Sequence, residues 1–120
     1  MSELPYGIGE WKYLIVDAND NRRLAHFWSH VLGTPIKDES PPYIDLVPVV
    51  GQPRMSFQQV DEPKRVKNRV HPDIKVADLE VAREQIVLLG GSVVRKCVEP
   101  PYQWYIMADP EDNEFCIVEN

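Results

Sequence analysis

The 120-residue chain has few cysteines, no excess of basic residues and no long hydrophobic run, and each shortage argues against a class of protein. Two cysteines, Cys97 and Cys116, cannot build the disulfide framework of a small secreted protein, and the N-terminal residues lack a basic stretch followed by an apolar one. A net charge of −6 argues against a nucleic-acid binder that relies on a basic field. No apolar run approaches the roughly 20 residues that span a bilayer. We therefore expect a cytoplasmic protein without nucleic-acid or membrane partners.

The chain does contain a pattern that occurs twice, 58 residues apart, within a composition of 43% hydrophobic and 27% charged residues that is typical of one globular domain over residues 1–120. The segments Asp20–Gly33 and Asp78–Gly91 both begin with Asp and end with Gly. Apolar residues recur in both at helical spacing, Asp is a favourable N-cap, and Gly suits a left-handed C-cap. The repeat predicts two similar modules, at about residues 8–60 and 70–120.

Each predicted helix is preceded by one extended segment and followed by three. The preceding segments are Trp11–Asp17 and Val70–Val76, and the second alternates apolar and polar residues more regularly. Each module therefore has the order βαβββ, and the predicted fold class is α+β. Because helices must cover the apolar face of a sheet, we expect a curved mixed β-sheet, joined at the first strands, with both helices on its outer face.

The sheet face turned away from the helices is expected to line a cleft. The repeat offset makes Tyr13 equivalent to His71 and Gln58 equivalent to Cys116, four positions around a pseudo-twofold axis. Trp104 is expected to add an aromatic wall for a flat or apolar ligand, although a core position or a dimer contact would explain this residue equally well. These five residues are the predicted ligand-binding set.

Three segments carry a family resemblance: Asp20–Gly33 with its Phe27-Trp28 pair, Lys67–His71 at the start of the second module, and Asp109–Val118. In this order they resemble the glyoxalase/bleomycin-resistance/extradiol-dioxygenase superfamily, the vicinal oxygen chelate fold, and in particular its glyoxalase-like domain branch. The resemblance covers nearly the whole chain. It implies paired βαβββ modules around a cleft where some members bind a divalent metal, with ligands from the first and last strand of each module.

Carried onto this sequence, the resemblance places those ligands at Tyr13, Gln58, His71 and Cys116. Only His71 matches the usual set, and Cys116 suits Zn²⁺ better than Mg²⁺, Mn²⁺ or Ni²⁺. The metal-ligand candidates are therefore His71 and Cys116, and no catalytic residue is assigned because the family's base-like glutamate is missing from both strand ends.

Two functions follow from the resemblance. The leading prediction is a glyoxalase-like, bleomycin-resistance-like protein that binds a small molecule in the sheet cleft, without assigned catalysis or cofactor. The alternative is a metal-dependent lyase, isomerase or dioxygenase that uses a His/Cys site and a divalent metal. A homodimer is expected in either case, with modules paired within one chain or between two.

Three further signals each have two interpretations. His26 and His30 have a spacing that can hold zinc on a helix, but the apolar stripe beside them favours a solvent-side position. The basic run from Lys64 to Arg69 either attracts an anionic ligand or is a solvated connector. Cys116 is either a reactive thiol whose pKa His71 lowers, or a buried inert cysteine.

Overall fold

The computed structural model describes residues 5–119, which form two successive βαβββ modules, so the predicted α+β class is confirmed. The first module comprises β1 (Tyr13–Ala18), α1 (Asn21–Leu32), β2 (Ile36–Ser40), β3 (Tyr43–Leu46) and β4 (Arg54–Gln59). The second comprises β5 (Asp73–Lys75), α2 (Leu79–Leu88), β6 (Ser92–Glu99), β7 (Tyr102–Ala108) and β8 (Glu114–Val118). Within residues 5–119, neither helix has the length and apolar character required to cross a bilayer.

Both helices begin where the sequence predicts, because the capping residues act locally. The Asp20 carboxylate accepts a hydrogen bond from the Arg23 backbone N–H at 3.1 Å, and Gly33 ends α1 in the left-handed region at φ 66°. Asp78 caps α2 in the same way, with Val81 N–H as the donor at 3.0 Å. The repeat seen in the sequence is therefore a repeat of helix boundaries.

The eight strands form two mixed four-stranded sheets, in the orders β1-β4-β3-β2 and β5-β8-β7-β6. In each sheet the first strand is parallel to the last, and the other pairs are antiparallel. Strands β1 and β5 are both edge strands, and no backbone ladder joins them in the described part of the chain. The expected junction at the first strands is thus not a hydrogen-bonded one. Strand β5 is also shorter than predicted, and Val70 before it is 78% exposed.

One hydrophobic cluster runs through both modules. Helix α1 buries Leu24, Phe27 and Trp28, and the Trp28 ring lies 4.8 Å from the ring of Phe115 in β8, centroid to centroid. Helix α2 contributes Ile86 to the same cluster. The first helix therefore covers its own sheet and also packs against the second module.

Polar contacts fix the same junction. The Trp28 indole N–H donates to the buried Asp109 carboxylate at 3.0 Å. Asp109 also accepts hydrogen bonds from Asn113 and from the Glu111 backbone N–H, yet burial raises the pKa of its carboxyl above the ordinary aspartate value. The Glu111 carboxylate in turn accepts from the backbone N–H groups that precede α1. None of these inter-module bonds follows from a periodic pattern in the sequence.

Candidate functional site

The second module gathers three side chains with metal-binding atoms on the face opposite its helix. Asp73 in β5 lies directly opposite Cys116 in β8 in the parallel ladder, and His71 lies two residues before Asp73 on the same side. The His71 Nδ1 and Asp73 Oδ1 atoms are 3.7 Å apart. One donor atom from each of the three residues lies within 4.8 Å of the other two. Strand pairing therefore produces a cluster of imidazole, carboxylate and thiol.

The cluster is buried on one side and exposed on the other. Cys116 is buried, whereas the His71 and Asp73 side chains are 48% and 62% exposed. Burial raises the pKa of the Cys116 thiol, and the charge and hydrogen bonding of the Asp73 carboxylate raise it further. The reactive-thiol interpretation of Cys116 is therefore not supported, since a thiolate is disfavoured beside a carboxylate.

A cavity of about 620 Å³ opens over this cluster, within the size range of small-molecule sites. Its aromatic and polar lining consists of His71, Asp73, Glu99, Tyr102, Gln103, Trp104, Cys116 and Glu119. Trp104 is half-buried and Tyr102 is 70% exposed, so both rings offer surface to a ligand. Three of the five predicted ligand-binding residues, His71, Trp104 and Cys116, thus share one cavity.

The other two predicted residues lie on the first sheet. Tyr13 borders a separate cavity of about 560 Å³ with Tyr43, Asp45 and Ser56. Gln58 is half-buried in β4 and does not line that cavity. Within one chain the structure therefore does not bring the predicted set of five together.

Strand register explains why the two pairs of repeat-related residues differ. In the first sheet Tyr13 lies opposite Arg54 and Gln58 lies opposite Asp17, so four residues, about 13 Å, separate Tyr13 and Gln58 along the strands. In the second sheet Cys116 lies opposite Asp73, only two residues, about 7 Å, from His71. The repeat offset predicted that the four positions are equivalent around a pseudo-twofold axis. Because the two registers differ, that prediction is wrong.

This arrangement also tests the family's metal pattern. The Tyr13 phenol and the Gln58 amide lie apart from each other on the first sheet. Neither lines the cavity that contains His71 and Cys116, so they do not complete a metal site with them in the same chain. The four-ligand set implied by the resemblance therefore does not fit a single chain. Asp73, which that set lacks, stands beside His71 and Cys116 instead. The alternation of β5 places Asp73 on the His71 face, so the sequence did carry a signal for it.

The remaining sequence signals fall outside this cavity. His26 and His30 are both exposed, and their rings stack with centroids 5.8 Å apart, so the predicted solvent-side position is confirmed. Lys64 pairs with Glu114 at 3.3 Å. No lysine or arginine lines the cavity among the residues that the structure describes, but the charge of Lys67 acts on the Cys116 thiol and opposes the larger effects that raise its pKa, so the basic run passes near the cavity.

Comparisons with known proteins agree with this fold. The sequence profile of the family described as "Glyoxalase-like domain" matches residues 13–118. A glyoxalase-related enzyme from Fulvimarina pelagi has a similar structure, with a TM-score of 0.70, 15% identity, and coverage of 94% of this chain and 89% of that one. For a member of the glyoxalase/bleomycin resistance protein/dioxygenase superfamily from Sphaerobacter thermophilus the TM-score is 0.68, with 15% identity and coverage of 96% and 100%.

A third solved structure, named oxidase ChaP-H2, gives a TM-score of 0.70 at 14% identity, with 94% of each chain covered. At such identities the likeness concerns the fold alone. No curated protein sequence matches this chain.

Proposed function

This chain belongs to the glyoxalase-like domain family, within the glyoxalase/bleomycin-resistance/dioxygenase superfamily, and from that premise we propose that it binds a small molecule on the face of its second sheet. The observation that carries the proposal is the cavity of about 620 Å³, which Tyr102 and Trp104 line together with His71, Asp73 and Cys116. Apolar walls with a few converging polar groups are typical of small-molecule sites.

The charge of the lining favours a ligand with a positive charge. Asp73 and Glu99 are exposed carboxylates in the cavity, and its described lining holds no lysine or arginine to neutralise them. Tyr102 and Trp104 present π faces, which attract cations by about 0.5–2 kcal/mol depending on desolvation. An aromatic or alkyl amine therefore suits the cavity better than an anion of the same size.

A thermal-shift screen of organic amines against carboxylic acids of matched size tests this binding site. We expect the unfolding temperature to rise with ligand concentration for amines only, because a ligand that binds the folded state stabilises it by mass action. Trp104→Ala and Glu99→Gln should remove the response. His26→Ala, an exposed change on α1 outside both cavities, is the control and should leave it intact. If Trp104→Ala and His71→Ala both respond like the wild type, the site is elsewhere.

A homodimer is the second part of the proposal, and free strand edges support it. Strands β1 and β5 are both edge strands, and unpaired edges favour pairing with another chain. Ile15 on β1 is 48% exposed. The radius of gyration is 16.1 Å, above the roughly 14 Å typical of a compact domain of this length. Pairing β1 of one copy with β5 of another would turn Tyr13 and Gln58 toward the cavity that contains His71.

Mixing two inactive variants distinguishes pairing between chains from pairing within one. If two copies share each cavity, Tyr13→Ala and His71→Ala proteins that exchange subunits should regain a ligand response in part, because one cavity of the mixed dimer is intact. Sedimentation should show a dimer. A monomer at all concentrations would refute the shared cavity, and ligand binding would then be tested by the thermal-shift screen alone.

The cytoplasmic location remains a prediction, supported by the two free cysteines.

An enzyme is the second candidate function, favoured by the His71, Asp73 and Cys116 cluster. Such a protein would be a metal-dependent lyase, isomerase or dioxygenase that uses this His/Cys site. The protein purified without chelators should then contain metal in stoichiometric amount, and reconstitution should restore an activity. Substoichiometric metal with no activity after reconstitution would refute this candidate.

A further inference from the structure

We propose that the second module binds one zinc ion by itself, through His71, Asp73 and Cys116. The site shares His71, Asp73 and Cys116 with the cavity of the proposed function but does not depend on that function, since protein side chains supply all three ligands. A bound zinc ion would neutralise Asp73, so the amine screen of the proposed function is run on metal-free protein. It differs from the pattern implied by the resemblance in two respects: Asp73 is a ligand, and Tyr13 and Gln58 are not.

The distances suit a zinc ion. Zinc binds nitrogen and oxygen at about 2.0–2.2 Å and sulfur at about 2.3 Å in tetrahedral geometry, which sets the donor atoms about 3.3–3.8 Å from one another. The His71 Nδ1 and Asp73 Oδ1 atoms already lie 3.7 Å apart. One donor atom from each of the three residues lies within 4.8 Å of the others, so the longest separation needs to shorten by about 1.5 Å at most. The exposed His71 and Asp73 side chains have room to rotate toward it.

The donor types select zinc over the harder divalent ions. A thiolate and an imidazole are ligands for zinc, whereas magnesium, calcium and manganese prefer oxygen alone. Cys116 lies opposite Asp73 in the β5–β8 ladder, so a cation bound between the two groups would offset the negative charge of both the carboxylate and the thiolate. The thiol proton is released to solvent when the ion binds, so sulfur enters the site as thiolate.

The site would keep one coordination position open. Three protein ligands leave a fourth tetrahedral position, as in zinc sites that accept water or a substrate. The same three residues line the cavity of about 620 Å³, so that position faces the space where a small molecule would lie.

Cobalt(II) substitution in the untagged full-length protein tests the site without any small-molecule ligand. We expect one equivalent of cobalt, displaced by zinc, with a thiolate-to-cobalt charge-transfer band in the near ultraviolet. Cys116→Ser should abolish the band. Asp73→Asn and His71→Ala should each weaken zinc binding at least about tenfold, the loss usual even for residues that only support a metal ligand. Cys97→Ser, the other free cysteine, should bind like the wild type.

The following outcomes would refute a zinc site within the second module alone. If Cys116→Ser keeps the band, or if Asp73→Asn and His71→Ala both bind zinc like the wild type, the three residues are not the ligands. If Gln58→Ala weakens binding as much as Asp73→Asn does, the site spans two modules. Because Cys116 is buried and its variant can fail to fold, circular dichroism accompanies each titration, and the exposed His71 and Asp73 variants carry the test independently. Zinc binding without an amine response would refute the proposed function alone, and the reverse outcome would refute the zinc site alone.

Discussion

The bond between Trp28 and Asp109 holds α1 against the second module, and Asp109→Asn removes it with little change in volume. The Asp109 carboxylate accepts from the Trp28 indole at 3.0 Å through one oxygen, and its other oxygen accepts from the backbone N–H groups of Glu111 and Asn113. An asparagine oxygen can keep the backbone bonds, but its amide N–H₂ then faces the indole N–H. The substitution therefore leaves a buried donor without an acceptor.

The expected cost is about 2 kcal/mol, the middle of the range of 1.5–3 kcal/mol for hydrogen bonds to charged groups. Urea unfolding at neutral pH should show the midpoint falling by about 1 M, since small domains lose about 1–3 kcal/mol per molar urea. Trp28→Phe removes the donor as well as part of the contact with Phe115, so a double-mutant cycle isolates the bond. A coupling energy below about 0.5 kcal/mol would show that the bond contributes little.

The same variant gives a pH test with a defined sign. Burial raises the pKa of Asp109 in the folded protein, so the folded state binds this proton at a higher pH than the unfolded state does. The stability that this proton contributes is present below the unfolded pKa and is lost as pH rises through the raised folded value. The wild type should therefore gain stability relative to Asp109→Asn as pH falls through that window. Urea midpoints measured from neutral to mildly acidic pH check it, and a constant difference would contradict the raised pKa.

Three other substitutions probe the fold. Gly91→Ala should cost about 1–3 kcal/mol in thermal unfolding, because a Cβ there would lie 2.7 Å from Ile86 Cγ2 and 2.9 Å from the Ala108 carbonyl oxygen; a neutral result would mean that the loop shifts freely. Phe115→Ala should lower the free energy of unfolding by about 3–5 kcal/mol in urea, because this side chain is fully buried between the modules. Glu111→Gln should cost about 1 kcal/mol by the same measurement, because one of its oxygens no longer accepts at the start of α1, and an unchanged midpoint would show that water replaces it.

The helix boundaries could be predicted from the sequence because the interactions that set them are local. Asp20, Gly33 and Asp78 each act on backbone groups within a few residues. The extent of β5 could not be predicted in this way, because the length of a strand also depends on the strand with which it pairs. On its β5 side, strand β8 pairs with Asp73, Ile74 and Lys75, and the Cys116 backbone N–H donates to the Pro72 carbonyl at 3.0 Å. The predicted strand residues before Pro72 have no such ladder partner in β8.

The candidate site, too, could be predicted from the sequence only where local patterns determine it. Alternation places His71 and Asp73 on one face of β5, and that part follows from the sequence. The neighbour of Cys116 depends on the register between β5 and β8, which a sequence of two separate strands does not specify. The relation between the modules depends on single contacts such as the Trp28–Asp109 bond, and these have no periodic signature.

Register also decides what the duplicated modules can do. If both sheets had the register of the first, Cys116 would lie opposite Lys75, as Gln58 lies opposite Asp17, and its neighbour would be a cation. The two-residue difference in the second sheet places Asp73 there instead, directly beside the thiol and near His71. The proposed metal site within one module therefore depends on strand register rather than on which residues occupy the repeat-related positions. Replacing Asp73 should for that reason weaken metal binding, while replacing Gln58 should not.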